Sequence, residues 1–291
     1  MKSIAPLVAL LLLTTACELI RPNNGKSDRF STSAEKGPIA PGTVDEASGL
    51  ADSRTLSGHV WVQEDSNRPA EISLLTHGGQ LAGRVSLPGI ANRDWEDLGI
   101  GPGPQDGVSY LYLADIGDNF VQYNESYIYR FPEPKEKNGA VSGIERITFR
   151  YPDGRRDAET ILVDPQTRDI FIVTKSEEKV RIYRLAYPQN TTEVTTAAYQ
   201  GELPLSLVTG GSVSPDGSEI LIRTYFGVSY WRRTSGQSLA DAMQRTSPRS
   251  LVIEAEPQGE GIAFAASGNG FFTISERRNA PGTSLNFYKR Q

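Results

Sequence analysis

Glu159-Thr160-Ile161 and Glu260-Gly261-Ile262 are two copies of a short pattern that occurs three more times, as Ser48-Gly49-Leu50, Glu96-Asp97-Leu98 and Gly211-Ser212-Val213. Successive copies lie 48, 63, 52 and 49 residues apart. Two residues before each stands Glu46, Asp94, Asp157, Thr209 or Gln258. A recurrence of roughly 40–50 residues marks stacked structural units such as propeller blades. Between the copies run short segments rich in Val, Ile, Tyr and Phe, with apolar and polar residues alternating as half-buried strands require. Tyr110-Leu111-Tyr112-Leu113, Ile170-Phe171-Ile172-Val173 and Ile220-Leu221-Ile222 are examples.

Counted unit by unit, the predicted strands number four, four, four, four and three. The last strand needed for a ring must come from the segment just before Glu46, which would join the two ends of the chain and remove an exposed sheet edge. The fold class is therefore all-β: a β-propeller of five four-stranded blades closed by an N-terminal strand. Six thinner blades are the alternative, if the 63-residue step hides an extra hairpin. A non-propeller all-β fold ranks behind both. Ser238 to Gln244 reads as the one short helix.

Upstream, Met1-Lys2 and the apolar run from Ile4 to Leu13 form a segment too short to span a bilayer as a helix. It ends in Thr14-Thr15-Ala16-Cys17, which resembles the bacterial lipobox, although Leu13 sits one place early. The resemblance implies a signal peptide over 1–16 and a lipid on Cys17, the single cysteine of the chain. An ordinary cleaved signal with an incidental cysteine is the other reading. Residues 17–41, rich in Pro, Asn, Ser, Lys and Gly, read as a flexible tether, with the propeller over 42–291. On this reading the protein sits in the bacterial cell envelope and touches membrane only through its anchor.

Val213-Ser214-Pro215-Asp216-Gly217, followed by Glu219-Ile220-Leu221-Ile222, resembles the S-P-D-G repeat of TolB-like propellers. Asp94-Trp95-Glu96-Asp97 together with Asp115-Ile116-Gly117-Asp118-Asn119 is similar to an uncharacterised group of bacterial secreted propellers, distant from the phytase-like and lactonase-type ones. The resemblance implies architecture, and function does not travel with a fold. Lactonase-type propellers hold a metal with one Glu, one Asn and one Asp; those residue types are present here without that family's motif.

In a propeller, the start of each innermost strand and the loop between the second and third strands open on the same face. That face collects Glu46, Asp94, Glu96, Asp97, Asp157, Glu159 and Glu260, with Asp65, Asp115, Asp118, Asn119, Lys175, Arg223, Glu276 and Arg277 from the loops. Converging carboxylates repel unless cations compensate. Hard oxygen donors in such number suit Ca2+, with Glu96, Glu159 and Glu260 the candidate ligands and the candidate catalytic carboxylates. Alternatively Lys175, Arg223 and Arg277 neutralise the acids in a structural network, or backbone amides cap them. The Asp115–Asn119 loop either wraps a cation or is a plain Asp/Asn turn whose side chains bond their own backbone.

A formal charge of −5 and the lack of a basic stripe argue against nucleic acid as a partner. The two histidines, His59 and His77, fall away from the acidic face, which disfavours a Ser-His-Asp triad. Trp95, flanked by acids, is either blade packing or a platform for a sugar ring. Two functions follow. In the first, the acidic face binds a small molecule or an envelope protein without turnover. In the second it holds Ca2+ and hydrolyses a lactone or phosphoester.

Overall fold

The computed structural model describes residues 26–176 and 178–291. Cys17 and the expected signal peptide lie outside the described residues. Five antiparallel sheets form five blades, and their innermost strands are Ala47–Asp52, Trp95–Pro102, Ala158–Val163, Val208–Val213 and Gln258–Phe264. Each innermost strand packs against the next, and the first against the last, so the sheets close into a five-bladed propeller. The helix, Leu239–Arg245, lies between the last two strands of blade 4, capped by Ser238 Oγ, which accepts from Asp241 N at 3.0 Å.

The core is divided among the blade interfaces. Alternate residues of one strand serve opposite neighbours: Leu111 and Leu113 face blade 1, while Tyr112 faces blade 3. Ile170 and Ile172 likewise pack toward blade 2, and Phe171 and Val173 toward blade 4. Because both faces of each sheet are covered, the strands are apolar on both sides. Their alternation is therefore one of direction rather than of polarity.

Closure falls to Glu35–Ile39, which pairs antiparallel with Thr283–Lys289 in blade 5. Phe30 packs on the same blade, so the ordered fold begins before the boundary expected at residue 42. A Cβ on Gly37 would lie 2.5 Å from the backbone carbon of Gly78 in the neighbouring blade 1 turn, and one on Gly79 would lie 2.4 Å from the Gly37 carbonyl oxygen. Two glycines thus let the last blade's edge seat against the first.

The 63-residue step contains no extra hairpin. Its length goes into the loop over 116–125 and an excursion in which Gly139–Ala140 adds a short parallel strand to the outer edge of blade 1. Thr195–Thr196 does the same for blade 2. The fourth strand of blade 3 is the following segment, Ala198–Leu203.

Candidate functional site

Every innermost strand is interrupted by a β-bulge at the same end. The pairing shifts between Ala47 and Leu50, Trp95 and Asp97, Ala158 and Thr160, Val208 and Gly210, and Gly259 and Ile262. The equivalent bulge residues are Ser48, Glu96, Glu159, Thr209 and Glu260. A bulge inserts a residue outside the ladder and re-aims its side chain, and here the ring of five surrounds the axis. This corrects the blade 4 register: Thr209, not Gly211, stands where the glutamates stand.

The two hydroxyls stitch blades together. Ser48 Oγ donates to the Glu96 carbonyl at 2.5 Å, and Thr209 Oγ1 donates to the carbonyls of Gly259 and Glu260 at 3.1 and 3.3 Å. The three glutamates instead line a cavity of about 320 Å3 at this end of the axis, shared with Glu46, Ser48, Asp65, Asn119, Lys175, Tyr225, Gln258, Glu276 and Arg278. Deeper along the axis, Leu50, Leu98 and Ile161 surround a space of only about 20 Å3. The mouth is a polar cup on an apolar floor.

Six carboxylates line the cup against two cations, Lys175 and Arg278. Lys175 pairs with Glu159. Burial alone would push its ammonium down, but Glu159 and Glu96 more than reverse this and hold it above its ordinary value. Burial, then the charge of Glu159 and Asp65, pushes Glu96 well above the usual carboxylate range, and burial does the same to Glu159 although Lys175 acts against it. Burial also raises Glu260 to about 7 and Glu276 to about 7, although Gln258 and Arg278 respectively act against it. Glu260 Oε1 accepts from Gln258 Nε2 at 2.7 Å, whereas its Oε2 is buried without a hydrogen bond of good geometry, the Tyr225 hydroxyl being the neighbouring donor.

Beside the cup, carboxylate oxygens of Asp65, Asp94 and Glu96 lie within 4.8 Å of one another. Asp94 is raised to about 6 by burial and then by Asp65, Asp157 and Asp115. Gly117 makes room for this group, since a Cβ there would meet Glu96 Oε1 at 2.1 Å and Asp94 Oδ2 at 2.6 Å.

Of the residues singled out in the sequence, Glu46, Asp65, Glu96, Asn119, Glu159, Lys175, Glu260 and Glu276 meet at the cup, with Asp94 beside it. The others have structural partners. Asp97 is buried between innermost strands, where its carboxylate accepts from Leu98 N at 2.8 Å and Ile161 N at 2.9 Å. Burial nevertheless raises it to about 8. Asp115 pairs with Arg93 at 2.9 Å. Asp118 accepts from Gln122 N and Tyr123 N at 2.7 and 2.8 Å, and its own N–H donates to the Asp157 carboxylate at 2.8 Å. That loop is the self-bonded turn of the sequence alternatives.

Arg223 reaches away from the cup, pairing with Glu256 and donating to the carbonyls of Gly261 and Ile274 at 3.0 and 3.2 Å. Arg277 binds Asp45 through both carboxylate oxygens, at 2.8 and 2.9 Å. Trp95 is fully buried in the interface of blades 1 and 2, so it offers no surface to a sugar ring. Tyr225, Gln258 and Arg278 complete the cup but were not site candidates in the sequence. Tyr225 follows Arg223 by two, just past the second strand of blade 4, and no sequence motif marks it as a site residue.

No family model matches the chain, and no curated protein matches it. Among solved structures, it is similar to a luciferin-regenerating enzyme, at 9% identity and TM-score 0.46 over 88% of this chain and 95% of that one. It is also similar to a chain of a nidogen/laminin complex, at 12% identity and TM-score 0.46 over 79% of this chain and 72% of that one. Neither likeness bears on what this chain binds.

Proposed function

We propose that this propeller is a binding protein whose acidic cup takes a positively charged group, displayed on the bacterial cell envelope by a lipid on Cys17. The observation that carries the reading is Glu260. It is 3% exposed, lines the cup, and its Oε2 is buried with no hydrogen bond of good geometry, the Tyr225 hydroxyl being the one donor beside the carboxylate. A buried polar atom without a partner is costly, and an arriving N–H donor with positive charge removes that cost. The charge excess of the lining acts in the same direction, because each ionised carboxylate beyond the two cations gains from an added positive charge. Turnover has no such support: neither histidine belongs to the cup, His59 bonding Ser57 and His77 bonding Asp52.

The test is thermal unfolding at pH 8 with n-butylammonium. The midpoint should rise with its concentration, as ligand binding to the native state demands. It should not rise with the isosteric neutral alcohol. An equal response to both would contradict the reading.

A second reading is favoured by Asp65, Asp94 and Glu96. These three hard oxygen donors are pushed toward protonation, and a dication would reverse that, so they fit Ca2+. They differ from the set Glu96, Glu159 and Glu260 named above, among which the Lys175 ammonium already lies. Such an ion would polarise a carbonyl or phosphoryl oxygen, as hydrolysis of a lactone or phosphoester requires. Unfolding with EDTA and then excess Ca2+ separates the readings: a rise lost in Asp94→Asn supports the metal, and no change sets it aside.

A further inference from the structure

Phe120 and Phe226 are the two most exposed large apolar residues among the described ones, at 85% and 86%. Scattered single apolar residues on a surface need no explanation. These two share a position. Each directly follows a residue that lines the acidic cup, Asn119 in one case and Tyr225 in the other. Both stand in the loop between the second and third strands, of blade 2 and of blade 4. Blades 2 and 4 are not neighbours in a ring of five, so the two phenyl rings stand on different sides of the mouth.

Neither loop is loose. In blade 2 the Asp118 carboxylate gathers the amides of Gln122 and Tyr123, and Val121 N donates to Asp118 O at 2.8 Å. Val121 is held at φ 52, a conformation a β-branched residue rarely accepts, so the fold spends backbone strain to shape this tip. In blade 4, Phe226 N donates to Thr224 Oγ1 at 3.2 Å across a turn whose flanking residues, Thr224 and Gly227, still pair.

We propose that the cup and its two phenyl rings form a docking surface for a polypeptide segment carrying one lysine or arginine side chain between apolar neighbours. This rests on the reading that the cup takes a positive charge. The basic head enters the cup and bonds Oε2 of Glu260, while the apolar neighbours cover Phe120 and Phe226. A free small cation would fill the cup and leave both rings in water. An anionic lipid surface, the other partner that exposed aromatics suit, is repelled by a mouth lined with carboxylates.

The experiment is selection of random heptapeptides on the full-length protein at pH 8, followed by calorimetry of the enriched peptides. The enriched set should share a basic residue flanked by apolar ones. Covering the rings should be worth at least about tenfold in affinity, the equivalent of partly burying one apolar side chain. That gain should vanish in the Phe120→Ser/Phe226→Ser double variant, whose exposed positions leave folding intact. Glu260→Gln should weaken the same peptides through loss of the basic contact.

Failure to enrich any such motif, or undiminished binding by the double serine variant, would overturn the docking surface. The butylammonium response distinguishes the two levels of failure. If it persists, only the polypeptide proposal falls. If it is absent as well, the cation reading falls with it.

Discussion

At Glu260, burial outweighs the Gln258 hydrogen bond that opposes it, and the balance has a measurable consequence. Glu260 and Glu276 are raised from 4.5 to about 7, and Asp94 from 3.8 to about 6. Between the ordinary and the raised values the folded chain holds more protons than the unfolded one. Stability is therefore full below about pH 4.5 and is lost as pH rises toward 7. Acting alone, a shift the size of Glu260's would cost about 3 kcal/mol. The unfolding midpoint should accordingly be lower at pH 8 than at pH 5, by ~5 °C or more. A midpoint that climbs from pH 5 to pH 8 would refute these environments. Cation binding should run the other way, strengthening across the same interval as the carboxylates ionise. Lys175→Met removes the ammonium beside Glu159, and breaking such a buried pair costs about 3–5 kcal/mol. That loss should be measurable in urea at pH 8 and smaller at pH 5, where Glu159 can protonate.

At the scale of the element, the β-bulge turns a strand into a site. Glu96, Glu159 and Glu260 were legible as recurrent acids before an apolar core, and their positions at strand starts placed them on one face. The equivalence of Thr209 was not legible, because the apolar residue used for alignment is missing in blade 4. Gly211 occupies that place, and Val213 two residues later supplied a false match. The roles of Asp97, Arg223 and Arg277 were hidden for a different reason. Each is satisfied by a group distant in sequence, such as Ile161 N, Glu256 or Asp45, and no local pattern encodes such a partner. The closing strand was legible as a deficit of one, while its position at Glu35–Ile39 depends on the glycine contact with blade 1. Gly37→Val places a branched side chain where even a Cβ meets backbone at 2.5 Å. It should cost about 2 kcal/mol or more and speed hydrogen exchange at the amides of Glu35–Ile39. Unchanged protection there would show that the strand is not the clasp.

Over the whole molecule, five interfaces of similar apolar character leave one end of the axis free to be polar. The apolar floor at Leu50, Leu98 and Ile161 keeps the acidic cup from running through the ring, and its depth keeps water from fully screening the glutamates. The blade count and the sign of the mouth followed from repeat spacing and composition. The aromatic rim did not, since Phe120 and Phe226 resemble ordinary strand residues until the loops that carry them are placed in space.

The most direct measurement is calorimetric titration of n-butylammonium at pH 8 into the native protein and into Glu260→Gln. The account predicts saturable one-to-one binding in the former. In the latter binding should be largely abolished, while the protein melts no lower than the parent because a buried charge has been removed. No binding to the native protein, or binding that Glu260→Gln leaves intact, would contradict it.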